Sequence, residues 1–209
     1  MRRRLTFILP VFAIALMFGS PARAAAAADP QGLVKDLVAQ AISTIADKQA
    51  PQDAREAKFR ALLESGFDIP RISRFVLGRY WNSAADPDKQ AFGTLFEEWI
   101  VRTYSARFRD YGGQTIQVTG SRPESETNTV VLSQFVSTNG APPAKVEWHV
   151  RKEADGGFKI VDVSVEGVSM ALTQRDEIAA VADRNGGTVE GLNKALKERL
   201  SAGNDSASK

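Results

Sequence analysis

Apolar residues recur at helical spacing from Pro30 to Lys48. Val34, Leu37, Val38, Ala41, Ile42 and Ile45 fall on one face, behind Asp29 as a cap and Pro30 at the first helical position. The spacing predicts a second helix from Gln52 to Glu64, with Phe59, Leu62 and Leu63 inward and Gly66 as its stop. Phe67 to Leu77 reads as a third, with Ile69, Ile72, Phe75 and Val76 on one face and Gly78 ending it. The longest helix opens at Asp86, read as the cap, with Pro87 at the first position. Phe92, Leu95, Phe96, Trp99, Ile100, Thr103, Tyr104 and Phe108 hold the period until Tyr111-Gly112-Gly113 breaks it.

Beyond Gly113 the period falls from 3.6 to 2. Strands are predicted at Thr115 to Gly120, Asn128 to Thr138, Ala144 to Lys152 and Phe158 to Glu166. The third alternates cleanly, Val146, Trp148 and Val150 against Lys145, Glu147, His149 and Arg151. The turn signals "RPESE", "TNGAPP" and "EADGG" make consecutive strands an antiparallel meander. Helical spacing returns from Ser169 to Arg184, and Thr188 caps a last helix through Leu192, Leu196 and Leu200. From Gly203 onward a polar tail is expected to be disordered. The order predicts one α+β domain over 29–202, with N-terminal and C-terminal helices covering a curved antiparallel sheet of four strands or slightly more.

The first residues change the charge picture. Met1 to Arg4 is basic, Leu5 to Phe18 is apolar, and Ala22-Arg23-Ala24 is a small-x-small site, the pattern of a cleaved signal peptide over 1–24, with cleavage between 24 and 28. An apolar run this short does not span a bilayer, which takes about 20 residues. The full chain is formally +2, but residues 1–24 hold four arginines and no acid, so the remainder carries 23 basic against 25 acidic residues. A net charge of −2 removes the case for a basic nucleic-acid binder. With no cysteine, disulfides, thiol catalysis and thiolate metal sites are excluded together.

Candidate chemistry is sparse. The single histidine, His149, sits on the charged face of a strand, the ordinary place for a solvated residue. No G-x-S-x-G elbow, H-E-x-x-H or phosphate-binding glycine loop occurs. Glu97-Glu98 and Asp176-Glu177 are acidic pairs on helices, where surface position and the helix dipole account for them. Asp162 lies among Ile160, Val161 and Val163, and a carboxylate buried there needs a partner, for which an arginine is expected. No catalytic residue, metal site or cofactor is assigned. The surplus is aromatic, concentrated between Phe59 and Tyr111, and periodicity alone does not separate a filled core from a lined cavity.

Four stretches together carry a family resemblance: "FDIPRISRFVLGRYW" at 67–81, "DKQAFGTLFEEWIVRTYSARF" at 88–108, "FKIVDVSVEGVSM" at 158–170 and "RNGGTVEGLNKAL" at 184–196. The chain resembles the soluble periplasmic lipid-binding proteins of the Mla pathway, the MlaC-like or toluene-tolerance family, and its first stretch is similar to a hopanoid-associated, HpnM-like branch. The resemblance implies a periplasmic lipid carrier rather than an enzyme. It implies acyl chains held between a curved sheet and its helices, with lipid exchanged between an outer-membrane lipoprotein complex and an inner-membrane ABC transporter bearing MCE domains. A phospholipid is the implied ligand, with a hopanoid-type lipid as the rival.

Two acyl chains hold roughly 30 methylenes at about 0.8 kcal/mol each, so a bare lipid in water costs on the order of 20 kcal/mol or more. A carrier must hide the tails, in a cavity of about 1,000 Å³, the upper end of ordinary ligand sites. On this resemblance the residues expected to line it are Phe75, Phe92, Phe96, Trp99, Ile100, Tyr104, Val131, Phe135, Val146, Trp148, Val163, Val168 and Met170. Arg71, Arg74 and Arg79 are expected at the mouth, toward a headgroup or a partner.

Overall fold

Asp29, itself in extended conformation, caps the first helix, accepting from the Gly32 amide at 2.8 Å, with Pro30 fixing the first turn. The computed structural model describes residues 29–207, so the expected signal peptide lies outside the described residues. Helix α1 (Pro30–Ala46) is followed by α2 (Gln52–Gly66), α3 (Ile69–Leu77), a 3₁₀ turn (Gly78–Tyr80) and α4 (Asp86–Ser105). Gly66 closes α2 against α1, where a Cβ would come within 2.3 Å of Leu37 Cδ1. Only glycine permits that approach.

Strands β1 (Thr115–Pro123), β2 (Asn128–Val136), β3 (Ala144–Lys152), β4 (Phe158–Val165) and β5 (Val168–Ser169) form one antiparallel sheet in sequence order. The fifth strand exists because Glu166 and Gly167 both take positive φ, 50° and 79°, the two-residue turn that closes a tight hairpin. Phe67 adds a short parallel bridge to Ile160 on β4, so α3 starts two residues later than its apolar pattern suggests. Helices α5 (Met170–Arg184) and α6 (Val189–Ala207) complete the chain, and Thr188 caps α6 through the Gly191 amide. Helix α6 crosses Gly203 and part of the expected tail; one interior glycine costs about 1 kcal/mol, too little to end a helix.

Two boundaries of the longest helix differ from expectation. Ala85 occupies the cap position and Asp86 begins the helix, so the acid serves the dipole and not the cap. At the other end α4 tightens after Ser105 into a 3₁₀ stretch (Ala106–Asp110).

The apolar residues form two cores. One is entirely helical, joining Val76, Leu77 and Tyr80 to Phe92 and Phe96 of α4, Ile178 and Val181 of α5, and Leu192 and Leu196 of α6. The other sits on one face of the sheet, where Leu33, Val34, Leu37 and Val38 of α1 meet Val131, Val150 and Ile160, with Trp148, Val163 and Leu62 beside them. Helices α1, α2, α3 and α5 pack on strands; α4 packs on α2, α3 and α6 and makes no comparable contact with the sheet.

Candidate functional site

The pleat sends Val131, Ser133 and Phe135 to one face of the sheet, with Val146, Trp148 and Val150 opposite them and Val163 and Val165 beyond. Trp148 pairs with Val131 on one side and Val163 on the other; Val146 pairs with Ser133 and Val165. The polar atoms of this face satisfy one another. Trp148 Nε1 donates to Ser133 Oγ at 2.9 Å, and Ser133 Oγ donates to the Val146 carbonyl at 3.0 Å. The face therefore presents hydrocarbon with no unmet donor from the indole or the hydroxyl.

Coverage of this face is uneven. Helix α1 closes the Val131–Val150–Ile160 end, whereas at the other end Phe135 and Val165 are exposed, and so is Val168, which pairs with Val165 across the last hairpin. Met170 begins α5 next to this end, and Tyr104 of α4 reaches it, with its hydroxyl 3.8 Å from the Met170 sulfur. Phe135, Val165 and Val168 thus mark the open end of the apolar face, with Met170 and Tyr104 beside it, while Val146 is buried and Trp148 and Val163 pack against the core that α1 covers.

Other expected lining residues lie elsewhere. Phe92 and Phe96 are fully buried, with rings stacked 5.5 Å apart, in the helical core rather than toward the sheet. Their stripe follows α6 and α5 because those helices, and not the strands, cover α4. Ile100 packs on the same cluster. Trp99 lines a cleft of about 210 Å³ with Ile178, Val181, Leu196, Arg184 and Arg199. Phe75 points outward, 42% exposed, because Ser73, Val76 and Leu77 take the inner side of α3 and leave its ring to Arg175, 5.1 Å away. A second cleft, about 510 Å³, lies at the start of α1 against β1, lined by residues including Asp29, Lys35 and Ser121. Neither cleft coincides with the sheet-to-helix cavity expected from the resemblance.

The three arginines at the expected mouth have partners of their own. Arg71 holds Asp68 at 2.8 Å. Arg79 meets Asp183 at 2.8 Å, and Tyr80 donates its hydroxyl to the same carboxylate at 2.6 Å; the Tyr80 hydrogen bond, then Arg79, holds Asp183 below the usual carboxylate range. Arg74 lies over the Trp81 ring at 5.5 Å.

The acidic candidates resolve into structural roles. Among the described residues Asp162 meets no arginine: it accepts from Ser169 Oγ at 2.6 Å, the Ala171 amide at 2.9 Å and the Val163 amide at 2.8 Å. The start of α5 supplies donors that sequence spacing did not reveal. Glu97 and Glu98 both bind Arg60 of α2, and Glu98 also accepts from Arg102 at 2.5 Å. Burial pushes Glu98 up, but Arg102 and Arg60 outweigh it and hold its carboxyl below the ordinary value.

His149 is half-buried rather than solvated. Its Nδ1 lies 3.4 Å from Glu124 Oε1 and its Nε2 lies 3.5 Å from Ser164 Oγ. The order acid, imidazole, hydroxyl is the geometry of a relay, yet Ser164 is 6% exposed and both contacts are long. A buried hydroxyl on a strand offers no access to a substrate. Among the described residues no group of three metal-ligating side chains converges.

A family model described as MlaC protein matches residues 35–198. The chain belongs to that family. It is 28% identical over 97 residues to the intermembrane phospholipid transport system binding protein MlaC of Haemophilus influenzae, a match covering 46% of this chain and 45% of that protein. The chain thus spans less than half the length of this curated relative. In three dimensions it is similar to a phospholipid-binding protein from Ralstonia solanacearum solved in complex with a phospholipid, with a TM-score of 0.69 and 26% identity over 83% of this chain and 98% of that one. The α+β sheet-and-helix architecture is therefore the family's own.

Proposed function

We propose that this chain is an exported carrier that holds the acyl chains of a phospholipid against the open end of its apolar sheet face, leaving the headgroup in water. The observation that carries the proposal is the exposed end of the apolar sheet face at Phe135 and Val165, next to the Trp148–Ser133–Val146 arrangement, whose polar atoms satisfy one another. Phospholipid binding by the Ralstonia relative supports the ligand class. In this reading Tyr104, Phe135, Val146, Trp148, Val163, Val168 and Met170 contact the tails, and the helices packed on the sheet move outward to admit them.

Carriage between membranes follows from the same chemistry, because about 30 methylenes cannot cross water unshielded. The signal-like residues 1–24 support a periplasmic setting for that traffic, between an outer-membrane lipoprotein complex and an inner-membrane MCE-domain ABC transporter. The reading is of a carrier and not an enzyme, supported by relatives described as binding proteins.

The test is quenching of tryptophan fluorescence by a phospholipid brominated on its acyl chains. Trp81→Phe and Trp99→Phe leave the quenching intact, and Trp148→Phe removes it. Absence of quenching, or equal loss from all three variants, overturns the assignment of the site.

A further inference from the structure

Phe75, Val165, Val168 and Leu172 are four of the five large hydrophobics that the described fold leaves exposed, and they stand on the β4–β5 hairpin and on the packed pair of helices α3 and α5. Val165 and Val168 pair across the β4–β5 hairpin. Leu172 lies in the first turn of α5, just after β5, and is 49% exposed. Arg175 follows at i+3 and lays its guanidinium 5.1 Å from the centre of the Phe75 ring. This strip of exposed apolar side chains thus runs from the β4–β5 hairpin along α5 to Phe75 on the packed neighbour α3, with the Arg175 cation at its aromatic end.

Around Phe75 stand Arg71, Arg74 and Arg175. Arg71 is tied to Asp68, but among the described residues Arg74 and Arg175 meet aromatic rings and form no ion pair. A guanidinium held against a ring keeps N–H donors for another acceptor, and phosphate oxygens match their fork. This local positive charge stands on a chain that is net negative once residues 1–24 are removed. Asp176 and Glu177, exposed just beyond Arg175, oppose it.

None of the four apolar residues lines either cleft described above. Protein interfaces centre on anchors seated in pockets. An exposed strip of aromatic and aliphatic side chains flanked by arginines instead suits the boundary between headgroups and acyl chains.

We propose that this strip, Phe75, Val168 and Leu172 with Arg74 and Arg175, docks the protein on an anionic bilayer surface and so presents the mouth of the lipid site to the membrane. The proposal deepens the carrier reading and rests on it for its purpose, though the docking itself does not require a loaded site.

Sedimentation of the purified full chain with phosphatidylcholine vesicles, with and without phosphatidylglycerol, tests it. The expected result is binding to the anionic vesicles alone, released by added salt. Each of Arg74→Gln and Arg175→Gln weakens it roughly fivefold, the effect of removing one cation near such a surface. Phe75→Ser combined with Leu172→Ser weakens it about tenfold or more, since both side chains enter the interface. Asp176→Asn strengthens it. A chain that ignores both vesicle types overturns docking, as does binding that the paired apolar substitutions leave unchanged. Loss of affinity only toward an acidic protein assigns the strip to protein docking and also overturns it. Vesicle composition and salt are read on the unaltered protein, so misfolding of a variant does not blunt the test. Extraction of bound phospholipid from a chain that ignores vesicles leaves the carrier reading standing, and vesicle binding by a chain that never holds lipid separates the two in the other direction.

Discussion

Trp148 on β3 donates its indole N–H to Ser133 on β2 at 2.9 Å, and Ser133 in turn donates to the Val146 carbonyl. Ser133 is 3% exposed, so its hydroxyl has no water in reserve. Ser133→Ala leaves the indole donor unmet at a cost of about 1–3 kcal/mol. The expected fall in Tm is roughly 2–4 °C per kcal/mol for a domain of this size. Calorimetry checks it, and an unchanged Tm would mean that the indole finds another acceptor.

Asp162 acts on the start of α5 through Ser169 and the Ala171 amide. Asp162→Ala leaves the Ala171 amide and the Ser169 hydroxyl, which itself caps α5, without their acceptor and is expected to cost about 1–2 kcal/mol in chemical denaturation. Asp162→Asn keeps an acceptor for the Ala171 amide and costs less. Retention of phospholipid by both variants is the accompanying expectation, because the carboxylate serves the fold.

Glu98 couples stability to pH. Its folded carboxyl lies below the ordinary value of 4.5, with Arg102 and Arg60 overcoming burial. A depressed carboxylate contributes stability that is complete above the unfolded value and is lost as pH falls through the folded one. Stability is thus expected to decline below about pH 4.5 with Glu98 contributing to the slope. Glu98→Gln costs about 1–2 kcal/mol at neutral pH and flattens that part of the decline. Urea titrations of both proteins across the acid range measure the difference; parallel curves would count against the network.

Gly78 joins α3 to the following turn at φ 52° and ψ −120°, and a Cβ there would stand 2.8 Å from Arg175 Nε. Gly78→Ala is expected to lose about 1–3 kcal/mol through backbone strain and that contact. Combining it with Arg175→Ala relieves the contact but not the strain. A double-mutant cycle with no coupling would refute the steric share.

His149 offers a separate check. The Glu124–His149–Ser164 line is the only relay-like arrangement found among the described residues. His149→Ala is expected to leave lipid retention unchanged. A hydrolytic activity on phospholipid present in the parent and lost in this variant would show that the arrangement is more than a strand contact.

Much of the architecture was legible in the sequence, and the reasons are local. Alternation along β3, the turn residues between strands, and Asp29 and Thr188 as caps each act within a few residues. What covers a helix does not. The spacing of Phe92 and Phe96 announced burial but could not say that α5 and α6, rather than the strands, would supply the contact. Phe75 fits an apolar face of α3 by period, yet Ser73, Val76 and Leu77 won the inner side. The donors that satisfy Asp162 belong to a turn formed only when β4 and β5 pair. Strand alternation put Val146, Trp148 and Val150 on one face, while the burial of Ser133 as the acceptor of the indole depends on cross-strand register.

Native mass spectrometry of the protein isolated from a bacterial periplasm, with identification of whatever it releases, tests the central claim most directly. The account predicts a chain beginning between residues 25 and 29 and carrying phospholipid, one molecule with two acyl chains, lost on organic extraction. A hopanoid in its place would keep the carrier and change its cargo. Identical masses before and after extraction, with no lipid released, would contradict the account.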